Sequence, residues 1–434
     1  MSVFHSITFK VFGIGFLALL MLIPLAEVQG LIGERNGLRE RTIATIAQSY
    51  GGQQQVGGPV LAVPKTVRVQ IGNSWTTQES TTILLPDRLD VAGALAPELR
   101  SYGIYAVPVY TAEIELSGRF IGADLKSVEG GDVVYHWDRA ELRLPIADAH
   151  GIRRIGAVTV GGVEYAFGPG EAGVGNVGAI SAHVDAKPGE DLPFRIALTL
   201  AGTQSLSVLP LARRTEASLR APWPDPSFEG AFLPAERHIN AQGFDARWQV
   251  LDLNRSFGQR WQEDAQHSLY VGGAAFGVSL YQPVSVYQLN ERAGKYGVLF
   301  IALTFIAFFL FEVLKKLRVH PVQYLLVGLA MATFYVVLLA LSEQIGFALA
   351  YVLAAAAVAA IVGGYAAAVL GTRRLGILLG AVLALVYALL YGLIASEQYS
   401  LLMGAAALLA VVAALMYLTR KVDWYAMTAA AASR

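Results

Sequence analysis

The chain has 434 residues, 55% of them hydrophobic and only 15% charged, and its 33 basic residues balance its 33 acidic ones. Soluble globular chains carry about a quarter charged residues, so this balance predicts a membrane protein, with no net field to recruit nucleic acid or an acidic partner. There is no cysteine, which excludes disulfides, thiol nucleophiles and cysteine-ligated metals and leaves any extracytoplasmic domain to stand on its core alone.

Phe9 to Val28 ("FKVFGIGFLALLMLIPLAEV") carries one charge, Lys10. About twenty apolar residues suffice to cross about 30 Å of hydrocarbon. A cleaved signal peptide is the competing reading, with Lys10 as its basic end. The run is long for such a segment, however, and "LAEVQG" lacks a small-x-small cleavage site. An uncleaved anchor is therefore expected, with residues 1–30 forming a cytoplasmic stub and a first transmembrane helix. Pro24 lies in its last turns, where a kink is tolerable.

Residues 31–293 read differently. Leu31, Leu38, Ile43 and Ile46 alternate with Glu34, Arg35, Arg39, Glu40 and Arg41, which predicts a short amphipathic helix stopped by Gly51-Gly52. Short strand-like pieces follow, separated by Gly, Pro, Asp and Asn. Period-two alternation is clearest from Thr111 to Phe120, where Ala112, Ile114, Leu116 and Gly118 oppose Thr111, Glu113, Glu115 and Ser117. Regularly spaced strands with few helical runs predict an antiparallel β-sandwich-type domain.

From residue 294 to 421 the chain is nearly all apolar, with five spans: Gly297–Leu314, Tyr324–Leu341, Ile345–Leu370, Leu375–Ala395 and Tyr399–Leu418. The basic turns (Lys315, Lys316 and Arg318; Arg373 and Arg374; Arg420 and Lys421) fall on alternate crossings. Neither intervening "SEQ" turn contains a basic residue. Basic loops stay cytoplasmic, so both "SEQ" turns face outward, residues 31–293 are periplasmic, and both termini are cytoplasmic, with 422–434 as a tail. Arg35, Arg39 and Arg41 oppose this assignment, but a large translocated domain obeys the rule weakly. The expected fold class is therefore membrane α+β: a six-helix bundle, one N-terminal anchor plus five C-terminal spans, with a β-rich domain inserted between them.

The two repeated triplets, Ser342-Glu343-Gln344 and Ser396-Glu397-Gln398, interrupt the most apolar part of the chain. At the entry to an inward-running helix, Ser342 and Ser396 can cap free N–H groups, while Glu343 and Glu397 complement the positive end of the helix dipole. Convergent capping is favoured over a duplicated hairpin. Glutamates that do more than cap should meet across one outer mouth. Gly376 and Gly380 form a G-x-x-x-G face suited to close helix packing. Five tyrosines, Tyr335, Tyr351, Tyr365, Tyr387 and Tyr391, could line a cavity, but bonding a neighbouring helix or sitting near the interface is favoured. Mid-span positions carry no Asp, Glu, Lys, Arg or His, which argues against proton-coupled transport. Glu312 sits at a span end.

Catalytic patterns are scarce. "GVGNVG" (Gly173, Gly175, Gly178) matches a dinucleotide fingerprint, but strand-like sequence follows where a helix should open, so an inter-strand loop is favoured. His136 and Asp138 lie two apart on an expected strand and could share a metal with a third ligand; a surface pair is favoured. His320 reads as an interface residue beside lipid head groups. No nucleophile elbow or phosphate-binding loop is present. Nothing therefore asks for catalysis, a metal or a cofactor. Trp223 and Phe228, in the proline-stiffened "WPDPSF", are candidates for docking a periplasmic partner, with a strut packed across a sheet edge favoured.

Several long stretches are similar to one family: "GPVLAVP" (58–64), "YGIYAVPVYTAEIELSGRF" (102–120), "WPDPSFEGAFLP" (223–234), "FGVSLYQPVSVYQLNERAGKYGVLFIALTFIAFFLFE" (276–312) and "HPVQYLLVGLAMATFYVVLLALSEQIGFALAY" (320–351). They resemble the CreD family, also called Cet, of bacterial cell-envelope-integrity proteins, from about Arg39 to Tyr425. Tyr50 and Lys65 depart from the family pattern, where a tryptophan and an aromatic are expected, so neither is a candidate for a shared site. The resemblance implies a Gram-negative inner membrane, a periplasmic domain, and a part in envelope maintenance linked to the CreBC sensor-regulator system and to colicin tolerance. It implies no chemical reaction. The leading expectation is a non-enzymatic protein embedded in the lipid bilayer, whose periplasmic domain senses or binds an envelope protein or glycan. The runner-up is a small transporter or lipid-handling protein with a pathway through the bundle.

Overall fold

A computed structural model describes residues 7–71, 74–126, 133–170, 172–263, 271–280, 286–315, 319–369, 371–396 and 400–420. The chain divides into two units. One comprises residues 1–39 and 284–434, and the other comprises residues 40–283.

The first unit is helical. α1 (Ile7–Leu20) and α2 (Leu22–Tyr50) meet at Met21. Pro24 has no N–H to give the carbonyl of Leu20, so the ladder is weakened where α1 yields to α2. Hydrogen bonds from Met21 N to Leu17 O (3.1 Å) and from Leu25 N to Met21 O (3.3 Å) carry the chain through. The separate anchor and amphipathic helix expected from sequence are thus one nearly continuous rod. It ends where Gly51 takes a positive φ of 119°, a conformation glycine adopts without strain.

Between the two parts of this unit lies the β-rich unit with a short helix, α3 (Gly122–Lys126). Its largest sheet has eight strands in the order Glu236–Asn240, Gly243–Leu251, Arg214–Ala221, Arg88–Tyr102, Tyr105–Phe120, Leu192–Thr203, Ile152–Val160 and Val163–Glu164. A seven-stranded sheet is built on Val60–Ile71, which pairs with Ser74–Leu84 on one side and with Val133–Tyr135 and Glu141–Pro145 on the other. A third sheet has four strands, with Ser205–Leu209 and Phe276–Leu280 at its centre. Among the described residues three sheets therefore share the unit, and two pairings are parallel: Gln54–Gly57 with Ser205–Leu209, and Arg214–Ala221 with Arg88–Tyr102. Strand order is decided by pairing distant in sequence, which the local alternation of the antiparallel expectation does not encode.

Ala112, Ile114 and Leu116 do turn inward, joining Leu61, Leu89, Ile196, Leu219 and Phe276 in one core that draws on all three sheets. Burying such aliphatic side chains contributes about 1.5–3 kcal/mol each. The Tyr110 hydroxyl, fully buried, donates to Ser205 O at 2.6 Å, and burial holds its pKa above the usual phenol range. "GVGNVG" forms a tight turn closed by the Val174–Val177 bridge, and the next element is a strand, Ala179–His183. His136 lies beyond the end of its strand and contacts Thr66 Oγ1 at 2.8 Å, so it and Asp138 do not share a strand face.

The chain re-enters the helical unit through α4 (Val286–Lys295), followed by α5 (Gly297–Lys315), α6 (Pro321–Ile345), α7 (Phe347–Val369), α8 (Arg373–Ala395) and α9 (Ser400–Thr419). Sequence placed residues up to 293 outside this unit; its boundary falls at Val284. Among the described residues four helices, Lys10–Tyr50, Pro321–Ile345, Phe347–Val369 and Arg373–Ala395, are long and apolar enough to cross a membrane. The number becomes five if the pair Val286–Lys295 and Gly297–Val313, bent by 45°, forms one span; Leu402–Tyr417 is a shorter apolar helix.

α7 and α8 approach closely at glycines. A Cβ on Gly376 would collide with Ala367 and sit 2.6 Å from Gly363 O, and one on Gly363 would sit 3.3 Å from Gly380 Cα. By contrast, a Cβ on Gly364 meets nothing within 4 Å. Gly376→Val should therefore lower the thermal midpoint of the detergent-solubilised protein by several degrees, whereas Gly364→Val should leave it within about a degree. In the β unit, Asp148 accepts from Gly52 N (2.8 Å) and His150 N (3.0 Å). Burial would raise its pKa, but these donors outweigh burial and hold it below the ordinary 3.8. A depressed carboxylate stabilises the fold above its unfolded pKa and loses that contribution as pH falls through its folded one. Acid unfolding curves of the wild type and Asp148→Asn should differ near neutrality and converge below about pH 3.8.

Candidate functional site

The polar groups of the helical unit gather in two clusters. In the first, Ser342 and Glu343 occupy the last turn of α6, which ends at Gly346 with a φ of 80°. α7 starts one residue later. The expected cap on the following helix is therefore not formed. Ser342 instead donates to Leu339 O on its own helix at 2.9 Å. Glu343 lies at the negative end of α6, where the dipole opposes it. It is held by Tyr287 Oη, which donates to Oε1 at 3.0 Å, and by Arg35, whose Nε is 3.8 Å away. Beside it, Asn290 donates to Ser342 Oγ (2.9 Å) and to Val286 O (2.7 Å). Tyr287 and Asn290 are three apart on α4, hence on one face. Ser342 and Asn290 are each 2% exposed, so their mutual pairing removes the cost of burying unpartnered polar groups.

The second cluster surrounds Glu312 near the end of α5, which is only 6% exposed. It pairs with Lys10 of α1, accepts from Tyr324 Oη (2.9 Å) and accepts from Val319 N (3.1 Å). Lys10 also donates to Val319 O at 3.0 Å. His320 N-caps α6: its Nδ1 accepts from Val322 N at 3.3 Å, while Gln323 accepts from His320 N at 2.9 Å. A capping box with Pro321 at the first helical position thus gives this exposed histidine a structural role that the sequence reading did not assign.

Between the clusters the interior is aromatic. The Phe334 ring lies 4.9 Å from Tyr335, 5.4 Å from Tyr351 and 4.6 Å from Tyr387, centroid to centroid. Tyr351 Oη donates to Tyr387 O at 2.7 Å, bonding α7 to α8. The Tyr387 hydroxyl is buried without a hydrogen-bond partner among the described residues.

The family model described as "Inner membrane protein CreD" matches residues 6–425. The chain belongs to the CreD family. It is 35% identical over 418 residues to the inner membrane protein CreD of Escherichia coli (strain K12), an alignment that covers 94% of this chain and 92% of that protein. With its apolar helices, this family member is a multi-pass membrane protein.

The other sequence-derived candidates lie apart. Ser396 is the C-cap of α8, its N–H bonded to Gly392 O, so it ends one helix rather than starting the next. Glu397 falls outside the described residues. Phe228 packs edge-on against Phe244 (5.8 Å) and Trp248 (5.7 Å) in the β unit. Trp223 packs half-buried against the same core, its indole donating to Asp225 O at 3.2 Å. Both side chains are thus partly buried against the core of the β unit. Among the described residues no group of three His, Asp or Glu side chains could hold a metal. Sequence reasoning missed Lys10, Arg35, Tyr287 and Asn290. Part of the signal was there: the expected topology puts Lys10 and Glu312 at one membrane edge and Arg35 and Glu343 at the other, all at the margins of apolar runs.

Removing one partner of a buried pair costs on the order of 3–5 kcal/mol, less here because the Lys10 side chain is 28% exposed. Glu312→Ala should therefore lower the detergent thermal midpoint by several degrees, and Lys10→Met with Glu312→Met should recover most of the loss. Tyr387→Phe, which deletes an unpartnered hydroxyl, should be neutral or stabilising by about 1 kcal/mol.

Proposed function

We propose that this protein supports cell envelope integrity from the bacterial inner membrane, its β unit binding or sensing an envelope component in the periplasm in association with the CreBC system. The observation that carries this reading is the CreD match along residues 6–425. The role is binding rather than catalysis. In the proposed arrangement six spans place both termini in the cytoplasm and residues 31–293 outside. The distribution of charge supports a scaffold over a transporter: Glu312 and Glu343 sit at helix ends and are already engaged, whereas charge movement needs partners at depth. The Tyr387 hydroxyl, buried without a hydrogen-bond partner among the described residues, is the feature that favours the second reading, a small transporter or lipid-handling protein, because a polar solute passing through would satisfy it.

Two measurements test the proposal. Alkaline phosphatase fused after Gln398 should be active, and fused after Arg373 inactive; the reverse pattern overturns the topology. In an Escherichia coli strain lacking its own CreD, expression of this chain should restore the wild-type response to colicins. A chain that reaches the membrane in normal amounts and changes nothing would sink the envelope role.

A further inference from the structure

We propose that the open face of the eight-stranded sheet is a binding site for an extended peptide carrying one cationic group between two anionic ones. This deepens the reading above, in which the β unit meets an envelope component, by naming the surface and the chemistry it selects.

Strand alternation sends Leu89, Val91, Ile114, Leu116, Ile196 and Leu219 into the core, and the opposite face forms a hollow of about 1160 Å³. Its floor is made of Ala92, Ala94, Gly156, Ala197 and Ser218, none long enough to fill it. Gly156 reaches the floor through an irregularity in the pairing. Val158 pairs with Ile196 and Ile155 with Leu198, so Gly156 and Ala157 together oppose Ala197. Such bulges bend a strand and are enriched beside binding sites.

Long charged side chains rise around this floor, and most neutralise one another. Arg195 pairs with Glu115, Arg214 with Glu216 (2.5 Å), and Arg247 with Glu236 (3.7 Å) and Asp245 (3.8 Å). Three do not. Arg220, Glu113 and Arg154 are exposed and make no hydrogen bond or ion pair among the described residues. The register aligns all three in one transverse row: Arg220 is opposite Ala94, Ala94 opposite Glu113, Glu113 opposite Thr199, and Thr199 opposite Arg154. Two strand spacings separate each unmet charge from the next, about 10 Å at about 4.8 Å per strand. The row reads plus, minus, plus.

A peptide in the extended polyproline II form has three residues per turn and advances about 3.1 Å per residue, so every third side chain lies on one side and these stand about 9.3 Å apart, close to the spacing of the row. A chain crossing the strands with acidic, basic and acidic residues at every third position meets all three charges at once. The small floor gives its backbone room. Each contact alone is weak at an exposed surface, so discrimination comes from satisfying the three together and from the repulsion felt by a ligand of reversed sign.

The test uses the full chain in nanodiscs of neutral phospholipid and fluorescence anisotropy with labelled Asp-Gly-Gly-Lys-Gly-Gly-Asp. The expected result is binding at least tenfold tighter than that of Lys-Gly-Gly-Asp-Gly-Gly-Lys, weakened by salt. Glu113→Lys should cut affinity at least tenfold. Thr199→Arg, which fills the hollow without removing a charge, should do the same. All these positions lie on the solvent side, so unchanged thermal midpoints accompany the variants. Equal affinity for the two peptides, no binding, or indifference to Glu113→Lys overturns the proposal. Equally tight binding of Asp-Gly-Gly-Gly-Gly-Gly-Asp also overturns it, in favour of a polyanion. Failure here with colicin complementation intact removes this site and leaves the envelope role standing.

Discussion

The helical unit depends on partnering two carboxylates where little water reaches them. Glu312 and Glu343 belong to the C-terminal spans, but their cations, Lys10 and Arg35, come from the N-terminal rod. An uncompensated charge in such surroundings is costly. The rod is thus an internal part of the helical unit as well as a tether. Cleavage after a signal peptide would leave Glu312 without Lys10, and Met21, Leu25, Val28 and Ile32, each 5% exposed or less, would lose their packing.

The two clusters also set a length. The stretch from Lys10 to Arg35 rises about 37 Å if helical throughout, which spans a hydrocarbon core of about 30 Å with a few ångströms of interface at each side. Each cluster adds a tyrosine hydroxyl, from Tyr324 or Tyr287, to the ion pair. Hydrogen bonds of this kind satisfy the remaining carboxylate lone pairs, the condition under which a buried pair is tolerated. Aromatic packing around Phe334 then occupies the space between the two ends, where the Tyr387 hydroxyl has no hydrogen-bond partner among the described residues.

Much of this was legible in the sequence, because one-dimensional patterns report local burial. Thr111 to Phe120 alternates, and its alternate side chains are indeed in the core. Gly51 stops α2, and Gly376 lies against α7. The helices at the two ends of the chain were visible from composition. Strand order was not, since the parallel pairing of Arg214–Ala221 with Arg88–Tyr102 joins segments more than a hundred residues apart. The ion pairs were missed for a related reason: Lys10 and Glu312 are 302 positions apart, and only a topology connects them. The capping role of His320 was missed, although the histidine-proline pair followed by Gln323 is a local capping pattern.

The repeated Ser-Glu-Gln triplets show how identical local sequence acquires different meaning from packing. Both serines come at the end of a helix rather than at the start of the next. Ser342 lies within the final turn of α6 and Ser396 just beyond α8. At the first site α4 lays Tyr287 and Asn290 against the triplet, and Arg35 arrives from α2, so the serine becomes a buried acceptor and the glutamate an anchored anion. Ser396 is half-exposed and contributes a backbone cap. Capping preferences act within a turn and are shared by both copies, but a buried ionic contact requires a third element to be present. That requirement, and not the triplet itself, is what ties Glu343 to the N-terminal rod.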